Sequence, residues 1–518
     1  MQVTTRRREP RRGVYAVVVI LFIGAVLVAC GPRRPHSDYL SAARGNGTQA
    51  GAAASEPGTG ADGSLSGTGA DANGAGDQGA GGAAGGPGGG GAGTGRAANG
   101  ATGGGRAGAS GGGASDVGVT ADSILVGNIT SVGGALGPNV FSPSYFGASA
   151  YFRELNAKGG INGRQIKFVT CDDKEDPNVN LSCAQSLVQS QKVFAMVAND
   201  SRVGNGSANY INSTGAPSVG DFCIGNWCAK YPHIWGIPTS FRYPRDGKSV
   251  GVNGKEYAQD GPFKWLKDNV GVTKAAVFFY NIAISRQAGL LWADSLRRQG
   301  VDVVYYGGGS DQGENPAAPT FDADVVQMRS KGVDIVVNAI DMNVFQKLCQ
   351  SMDRYSFTVK ANVGNPQAYG QIIGSFSSPC RNSVFAFDNN TNYADASNPE
   401  VARMQAAMKK YYPDVQLHQW ALTGWASAAM FAEAVAAQGP NVTRAGVERW
   451  LAGLRDYTGG GLEAPHDFQW PYDYSKPSPN CFSIAQWQDS AKMMVTRAPI
   501  STCLTMPWVA YTPSNDGS

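Results

Sequence analysis

The residues best equipped for covalent chemistry in this 518-residue chain are nine cysteines and four histidines. The histidines, His36, His233, His418 and His466, lack the short spacing that zinc ligands need, and no C-x-x-C pair occurs. No metal site is therefore expected. A nucleophilic serine needs a general base, and no G-x-S-x-G elbow stands between a strand and a helix to present one. His466 precedes Asp467, but a lone His-Asp step reads as a surface or hinge pair. Gly133-Gly134 and Gly204-Asn205-Gly206 do not open a helix after a strand in the pattern of a phosphate loop. Neither catalysis nor a cofactor is expected.

Cys30 stands apart from the other cysteines. Arg6, Arg7, Arg8, Arg11 and Arg12 precede an apolar run over 14–29, which closes as Leu27-Val28-Ala29-Cys30. A basic stretch, a short apolar core and a small residue make a secretory leader, too short for the ~20 residues of a spanning helix. With cysteine next, it resembles the lipobox of bacterial lipoproteins. That resemblance implies cleavage after residue 29 and a lipid on the Cys30 sulfur. The chain is then expected outside the cytoplasm, anchored to the outer face of the cell membrane, where disulfides are permitted. The net charge is +3, and residues 1–29 carry five Arg and one Glu, or +4, so the remainder is 3 − 4 = −1. A near-neutral protein has no electrostatic case for nucleic acid.

The other eight cysteines, Cys171, Cys183, Cys223, Cys228, Cys349, Cys380, Cys481 and Cys503, form an even set in an oxidising compartment, which reads as four disulfides. Sequence leaves their pairing open. Neighbour pairing (171–183, 223–228, 349–380, 481–503) closes short loops and is the expectation.

The elements that must position any site begin after a long low-complexity stretch. From 45 to 115 the chain is almost entirely Gly, Ala, Ser and Thr. Such a segment cannot offset its ordering entropy by apolar burial, so residues 30–116 are read as a flexible tether. A Gly-rich chain of ~70 residues reaches roughly 45 Å. About 400 residues of ordinary apolar content follow, too many for one core. Strands are expected at 124–126, 165–169, 193–197, 275–280, 301–305 and 334–340. Tyr145, Ala148, Phe152 and Leu155 mark one helix face, stopped at Gly159-Gly160. A helix capped by Ser285 runs to Gln299, another covers 323–331, and 420–438 is a long apolar helix expected to be buried. Alternating strands and helices give an α/β class with parallel sheets.

These residues carry a resemblance. The stretch YFRELNAKGGINGR over 151–164 is similar to the signature region of leucine/isoleucine/valine-type periplasmic binding proteins. Asp172-Asp173, Asp176-Pro177, the 192–197 strand, Thr320-Phe321-Asp322 and the run from Tyr457 to Leu462 follow in the family's order. The resemblance spans about 117–510. It implies a type I periplasmic-binding-protein fold of two Rossmann-like lobes, a hinge and an interlobe cleft. It also implies a small-molecule ligand, an ABC permease partner and a monomer. Lobe one is placed at 117–242 plus 389–455, lobe two at 243–388 plus 456–510, and a tail at 511–518.

Ligands of α/β lobes sit at the carboxyl ends of strands. In lobe one the candidates are Ser131, Phe141, Asn199, Ser201, Arg202, Gly220, Asp221 and Phe222. By resemblance, a hydroxyl and backbone groups of the loops at 199–202 and 220–222 bind a ligand carboxylate, which assigns that part to Ser201 or Arg202. In lobe two the candidates are Tyr280, Asn281, Asn338, Asp341, Asn365 and Tyr369. One departure matters. Amino-acid binders place a carboxylate near 363–367 to pair the ligand ammonium, and this chain has no Asp or Glu between Asp353 and Asp388. Asp200, Asp221 or Asp341 must substitute, or the ligand is an amide or an organic or aromatic acid. The expected function is a lipid-anchored solute-binding protein feeding an ABC importer by hinge closure. A ligand-sensing lipoprotein is the alternative, and a hydrolase with a Ser–His pair in the cleft the third class.

Overall fold

The computed structural model describes residues 113–134, 137–223, 225–237, 242–315, 317–364 and 370–513. The leader, Cys30 and most of the Gly-rich stretch lie outside the described residues, as do Asn365 and Tyr369.

Lobe one opens with β1 (Ser123–Thr130), α1 (Ser142–Ala157), β2 (Gln165–Asp172), α2 (Pro177–Ala184), β3 (Ala195–Val197), α3 (Asn205–Ser213), β4 (Ser218–Phe222), α4 (Trp227–Lys230) and β5 (Ile234–Ile237). The expected first helix and the strand after it are there. Their connection turns at Asn162 (φ 49°) and Gly163 (φ 81°), which reverses the chain into β2. Asp176 caps α2 by accepting from the Asn178 and Val179 amides, with Pro177 as the first helical residue, so that dipeptide is a helix start.

Lobe two follows with β6 (Glu256–Ala258), α5 (Gly261–Val270), β7 (Lys274–Phe279), α6 (Ala283–Arg298), β8 (Asp302–Tyr306), α7 (Asp322–Ser330), β9 (Ile335–Ala339), α8 (Met342–Arg354), β10 (Ala361–Gly364), α9 (Ser378–Arg381) and β11 (Val384–Asp388). The expected cap of α6 is corrected. That helix begins at Ala283, and Ser285 instead donates to the Ala339 carbonyl while accepting from the Tyr280 amide. A hydroxyl that ties two neighbouring strand ends together is not free to cap.

The chain then returns to lobe one with α10 (Pro399–Tyr411), α11 (Gln419–Ala436) and α12 (Arg444–Ala452), and to lobe two with β12 (Ser478–Gln488), β13 (Met493–Met506) and β14 (Val509–Tyr511). The first sheet has order β2-β1-β3-β4-β5 and the second β13-β12-β11-β10-β9-β7-β8; β14 pairs with β6. The parallel part of the second sheet repeats the winding of the first, with β7 in the place of β1. In each lobe the strand order reverses beside the first strand, and the crevice outside that switch point is where such folds hold ligands. The long apolar helix α11 is buried over nearly its whole length against α1 and β4. Contact is close because Gly147 of α1 and Gly424 of α11 face each other's helix backbone. A Cβ on either would lie 1.8–1.9 Å from a carbonyl oxygen.

The four disulfides join Cys171–Cys183, Cys223–Cys228, Cys349–Cys380 and Cys481–Cys503, the neighbour pairing. Each closes a loop within one lobe. Closing a short loop of this kind removes about 3 kcal/mol of unfolded-state entropy.

The last residues before β1 are bound to lobe one. Ser115 donates to the Val442 carbonyl, and Asp116 accepts from the Arg444 amide. The fully buried Arg164 reaches the carbonyls of Gly113, Thr120 and Pro440. Residues 113–116 thus belong to the packed lobe.

Between the lobes, the segment after β11 runs antiparallel to residues 462–464. Thr391 donates to Leu462 and Ala464 to Asn389. Two acids are buried there. Glu463 is 1% exposed, and neither of its oxygens has a hydrogen-bond partner among the described residues. Burial first, then the nearby Glu433 and Asp388, pushes its carboxyl up to about 8. Burial likewise pushes Asp388 up to about 7. His466 lies 3.7 Å from Glu463, but burial pushes its imidazole down to about 4. At neutral pH the contact is between two neutral groups, not an ion pair.

These shifts have a sign. The folded protein holds acid protons that the unfolded chain has already released, so stability falls as pH rises from the ordinary carboxylate range through about 8. The buried His418 and His466 act oppositely, but only below their ordinary value of 6.5. The melting temperature should therefore drop between pH 6.5 and 8.5, and Glu463→Gln should shrink that drop. Thermal unfolding across the range checks it, and a flat profile in the parent protein would refute it. A second expectation concerns the amino terminus. Deleting 31–112 should leave the melting temperature unchanged, whereas extending the deletion through Gly118 should lower it.

Candidate functional site

At the carboxyl edge of the first sheet, the loops after β1, β2 and β3 meet. Ser131 donates to Asp173 Oδ1 at 2.7 Å, and Ser201 donates to Asp173 Oδ2. Asn180 Nδ2 adds a third bond at 2.9 Å, and the Glu175 amide a fourth at 3.0 Å. A buried carboxylate with four donors is fully satisfied. Arg202, 36% exposed in its side chain, is held at 3.2 Å by Glu175. Lys174 and Glu175 both have positive φ, 55° and 59°. Two consecutive non-glycine residues in that region store strain, which the surrounding bonds over-determine. Ser201 and Arg202, expected to grip a ligand carboxylate, therefore already meet carboxylates of this chain, and so does the candidate Ser131.

Asp173 and Glu175 were not among the sequence candidates. The signal was present in the acidic run at the end of β2, Asp172, Asp173, Glu175 and Asp176, of which the first three brace the loops and the last caps α2. Asp172 braces the loop after β1, accepting from the Val132 and Gly133 amides.

The other lobe-one candidates fall into two groups. Asn199 accepts from the Ile129 amide and donates to Ser218, which in turn donates to Asp221. Asn199, Ser201, Asp221 and Phe222 share a hollow of about 20 Å³, room for one water and no ligand. Gly220, at φ 74°, lies against Ser427 of α11, which donates to its carbonyl, so that backbone is covered by the helix. Phe141 and Phe222 pack on Trp420 with ring centroids 5.1 and 5.0 Å away.

At the second sheet's switch point, Tyr280 is buried and its hydroxyl donates to Asp341, which also caps α8 through the Asn343 and Val344 amides. The caps and a buried phenol, not a ligand, occupy Asp341. Asn338 is fully buried and donates to Asn362 at 2.7 Å and to the Val363 carbonyl. Asn281 is exposed, with its amide donating to the Glu314 carbonyl.

None of the three substitute counter-charges is an open carboxylate. Asp200 is fully buried, neither of its oxygens has a hydrogen-bond partner among the described residues, and burial together with Asp173 and Asp221 raises its carboxyl well above the usual range. Burial raises Asp221 to about 7 despite its bond from Ser218. Glu314, beside Tyr280, is a further buried acid, with Oε2 unpartnered among the described residues and its carboxyl raised by burial and by Asp324. Among the described residues no group of three His, Cys, Asp or Glu is arranged to hold a metal ion.

A model of the periplasmic binding protein family matches residues 123–492. The chain belongs to that family. Its fold is that of solved type I binding proteins. A fatty acid ABC transporter substrate-binding protein from Thermomonospora curvata matches with a TM-score of 0.57 at 17% identity, covering 75% of this chain and 94% of its own. The branched-chain amino acid transporter substrate-binding protein of Streptococcus pneumoniae, in complex with isoleucine, matches at 0.56 and 15%, covering 74% and 100%. A solute-binding protein of R. palustris in complex with benzoate matches at 0.56 and 16%, covering 74% and 98%. A curated amino acid binding protein from Pseudomonas aeruginosa is 38% identical over 72 residues, 13% of this chain and 19% of that protein. The match thus spans about a fifth of that relative's length. Membership in the family places this binding protein outside the cytoplasm.

The saturated carboxylate makes a prediction. Asp173→Ala should leave the Ser131 and Ser201 hydroxyls and the Asn180 amide buried without an acceptor, at roughly 2–4 kcal/mol in all. Chemical unfolding should show that loss, and a change below 1 kcal/mol would mean the cluster is solvated.

Proposed function

We propose that this binding protein is a lipid-anchored receptor that captures a small organic acid and delivers it to an ABC importer. The hinge is the observation that carries the reading. Two lobes of the same winding are joined by crossing segments that pair over few residues, and no disulfide spans them. A ligand touching both lobes only when they are closed shifts the population toward closure. The sequence departure in lobe two and the absence of an open acid among Asp200, Asp221 and Asp341 argue against a ligand ammonium, which would be costly to bury unpaired. Lys174 is exposed, and Arg202, though paired with Glu175, keeps an open side at the lobe-one edge, where a ligand acid would meet them. Solved relatives in fold bind a carboxylate without an ammonium, benzoate, or with one, isoleucine. An amino acid or amide is the second reading, and Glu314, with an oxygen unpartnered among the described residues, is the residue that would favour an amino acid.

A thermal-shift screen over amino acids, amides, aliphatic acids and aromatic acids tests the class. Acids should raise the melting temperature and amino acids should not; the reverse would select the second reading. Arg202→Ala should then weaken the acid by roughly tenfold to a hundredfold, the worth of a bond to a charged group. An unchanged affinity would assign Arg202 to bracing Glu175 alone. For the anchor, Cys30→Ala should move the protein from the membrane to the soluble fraction. An intact 1–29 leader on the mature protein, seen by mass spectrometry, would defeat lipidation.

A further inference from the structure

The described residues bury two arginines, Arg164 and Arg245. Arg164 donates to the carbonyls of Gly113, Thr120 and Pro440. Arg245 is held by fewer bonds. It is 8% exposed, with its guanidinium carbon 3.7 Å above the Trp235 ring and 5.4 Å from that of Phe468. Its one hydrogen bond among the described residues is from Nη1 to the Ile234 carbonyl, at 2.8 Å, and no carboxylate lies within ion-pair distance. The backbone holds it there at φ 43°, a left-handed conformation that costs a non-glycine residue energy. Burial pushes the guanidinium down to about 9, and only the more distant Glu448 opposes this. The fold thus bears an uncompensated buried cation.

Arg245 opens onto a hollow of about 720 Å³ on the outer side of β5, between α12 and the segment after His466. That volume lies within the range of small-molecule sites. Two more arginines line it, Arg449 and Arg455. Arg449 makes no side-chain hydrogen bond or ion pair among the described residues, and Arg455 meets only carbonyls of its own turn. The one acid in the lining, Glu448, is bonded to His233 Nδ1 at 2.6 Å. Trp470, 43% exposed, supplies an open aromatic face at the rim. The hollow is lined by residues of lobe one and of the chain around the crossings, not by the switch-point loops.

We infer that this hollow is a second binding site, for a small molecule carrying a carboxylate or phosphate on an aromatic body. Arg245, Arg449 and Arg455 take the oxyanion, whose planar or tetrahedral oxygens match guanidinium forks, and Trp470 covers the ring. An anion here offsets the charge that the fold leaves unpaired.

Calorimetric titration of the full chain with phenyl phosphate and with phenylacetate tests the site, and the tighter of the two identifies the oxyanion. Arg245→Gln should weaken binding by at least roughly tenfold, as expected for loss of a charge-assisted pair. The surface double variant Arg449→Ala/Arg455→Ala should weaken it severalfold, and it decides the matter should Arg245→Gln not fold. Arg202→Ala should leave this binding unchanged, which separates the hollow from the cleft. No heat with either probe at millimolar concentration would overturn the inference. So would binding that survives the double variant but is lost in Arg202→Ala.

Discussion

The close approach of α1 and α11 is the contact on which the rest of the molecule depends. These helices are separated by the whole of lobe two, yet Gly147 and Gly424 let their backbones touch. Any side chain at either position would drive the helices apart, because a core at crystal-like density cannot absorb an added Cβ within 2 Å of a carbonyl. The pairing fixes α11 over β4, which sets Ser427 against Gly220 and Trp420 between Phe141 and Phe222. It also fixes where the chain must leave and re-enter lobe one, so the crossings lie side by side. The hinge is thus a consequence of a helix contact, and its strands pair because the lobe has already placed them.

Charge burial is handled in three ways. At the edge of the first sheet, acids are buried with a full complement of donors, and Asp173 braces three loops at once. At the hinge, burial raises the carboxyls of both Glu463 and Asp388, and Glu463 lies beside a neutral imidazole. Such groups cost little while protonated and repel one another once ionised. Around β5, Arg245 keeps its charge with stacking and one carbonyl for company. The first arrangement makes a rigid wall, the second ties hinge packing to pH, and the third leaves binding energy for an outside anion.

For a binding protein, bracing the cleft edge from within has a functional sense. A ligand that met flexible serines would have to order them, whereas loops held by Asp172, Asp173 and Glu175 are set before it arrives. The cost is that the most obvious donors are no longer available, which on the proposed reading leaves recognition to backbone and to groups such as Arg202 that keep an open side.

Much of the fold was legible in the chain because it rests on local signals. Period and punctuation located β1, α1, β2, β7, α7, β9 and α11 to within a few residues. The Asn162-Gly163 turn and the Asp176-Pro177 helix start can be read from residue chemistry alone. Neighbour disulfides were legible too, since short loops bring their ends together whatever the rest does. The candidate site was not. Ser131, Ser201, Tyr280 and Asp341 lie where the strand ends put them, but sequence does not say which of two acceptors a hydroxyl will find. Asp173 takes the serines because the β1, β2 and β3 loops converge, and Asp341 takes Tyr280 because β7 and β9 are neighbours. Arg245 gives no sequence signal at all, since only the packing of Trp235 and Phe468 around it makes its charge unusual. Local chain chemistry determined the class, the elements and their order. Tertiary structure decided which polar groups are spent on one another and which stay open, because hydrogen bonds and desolvation depend on what lies within a few ångströms in space, not on distance along the chain.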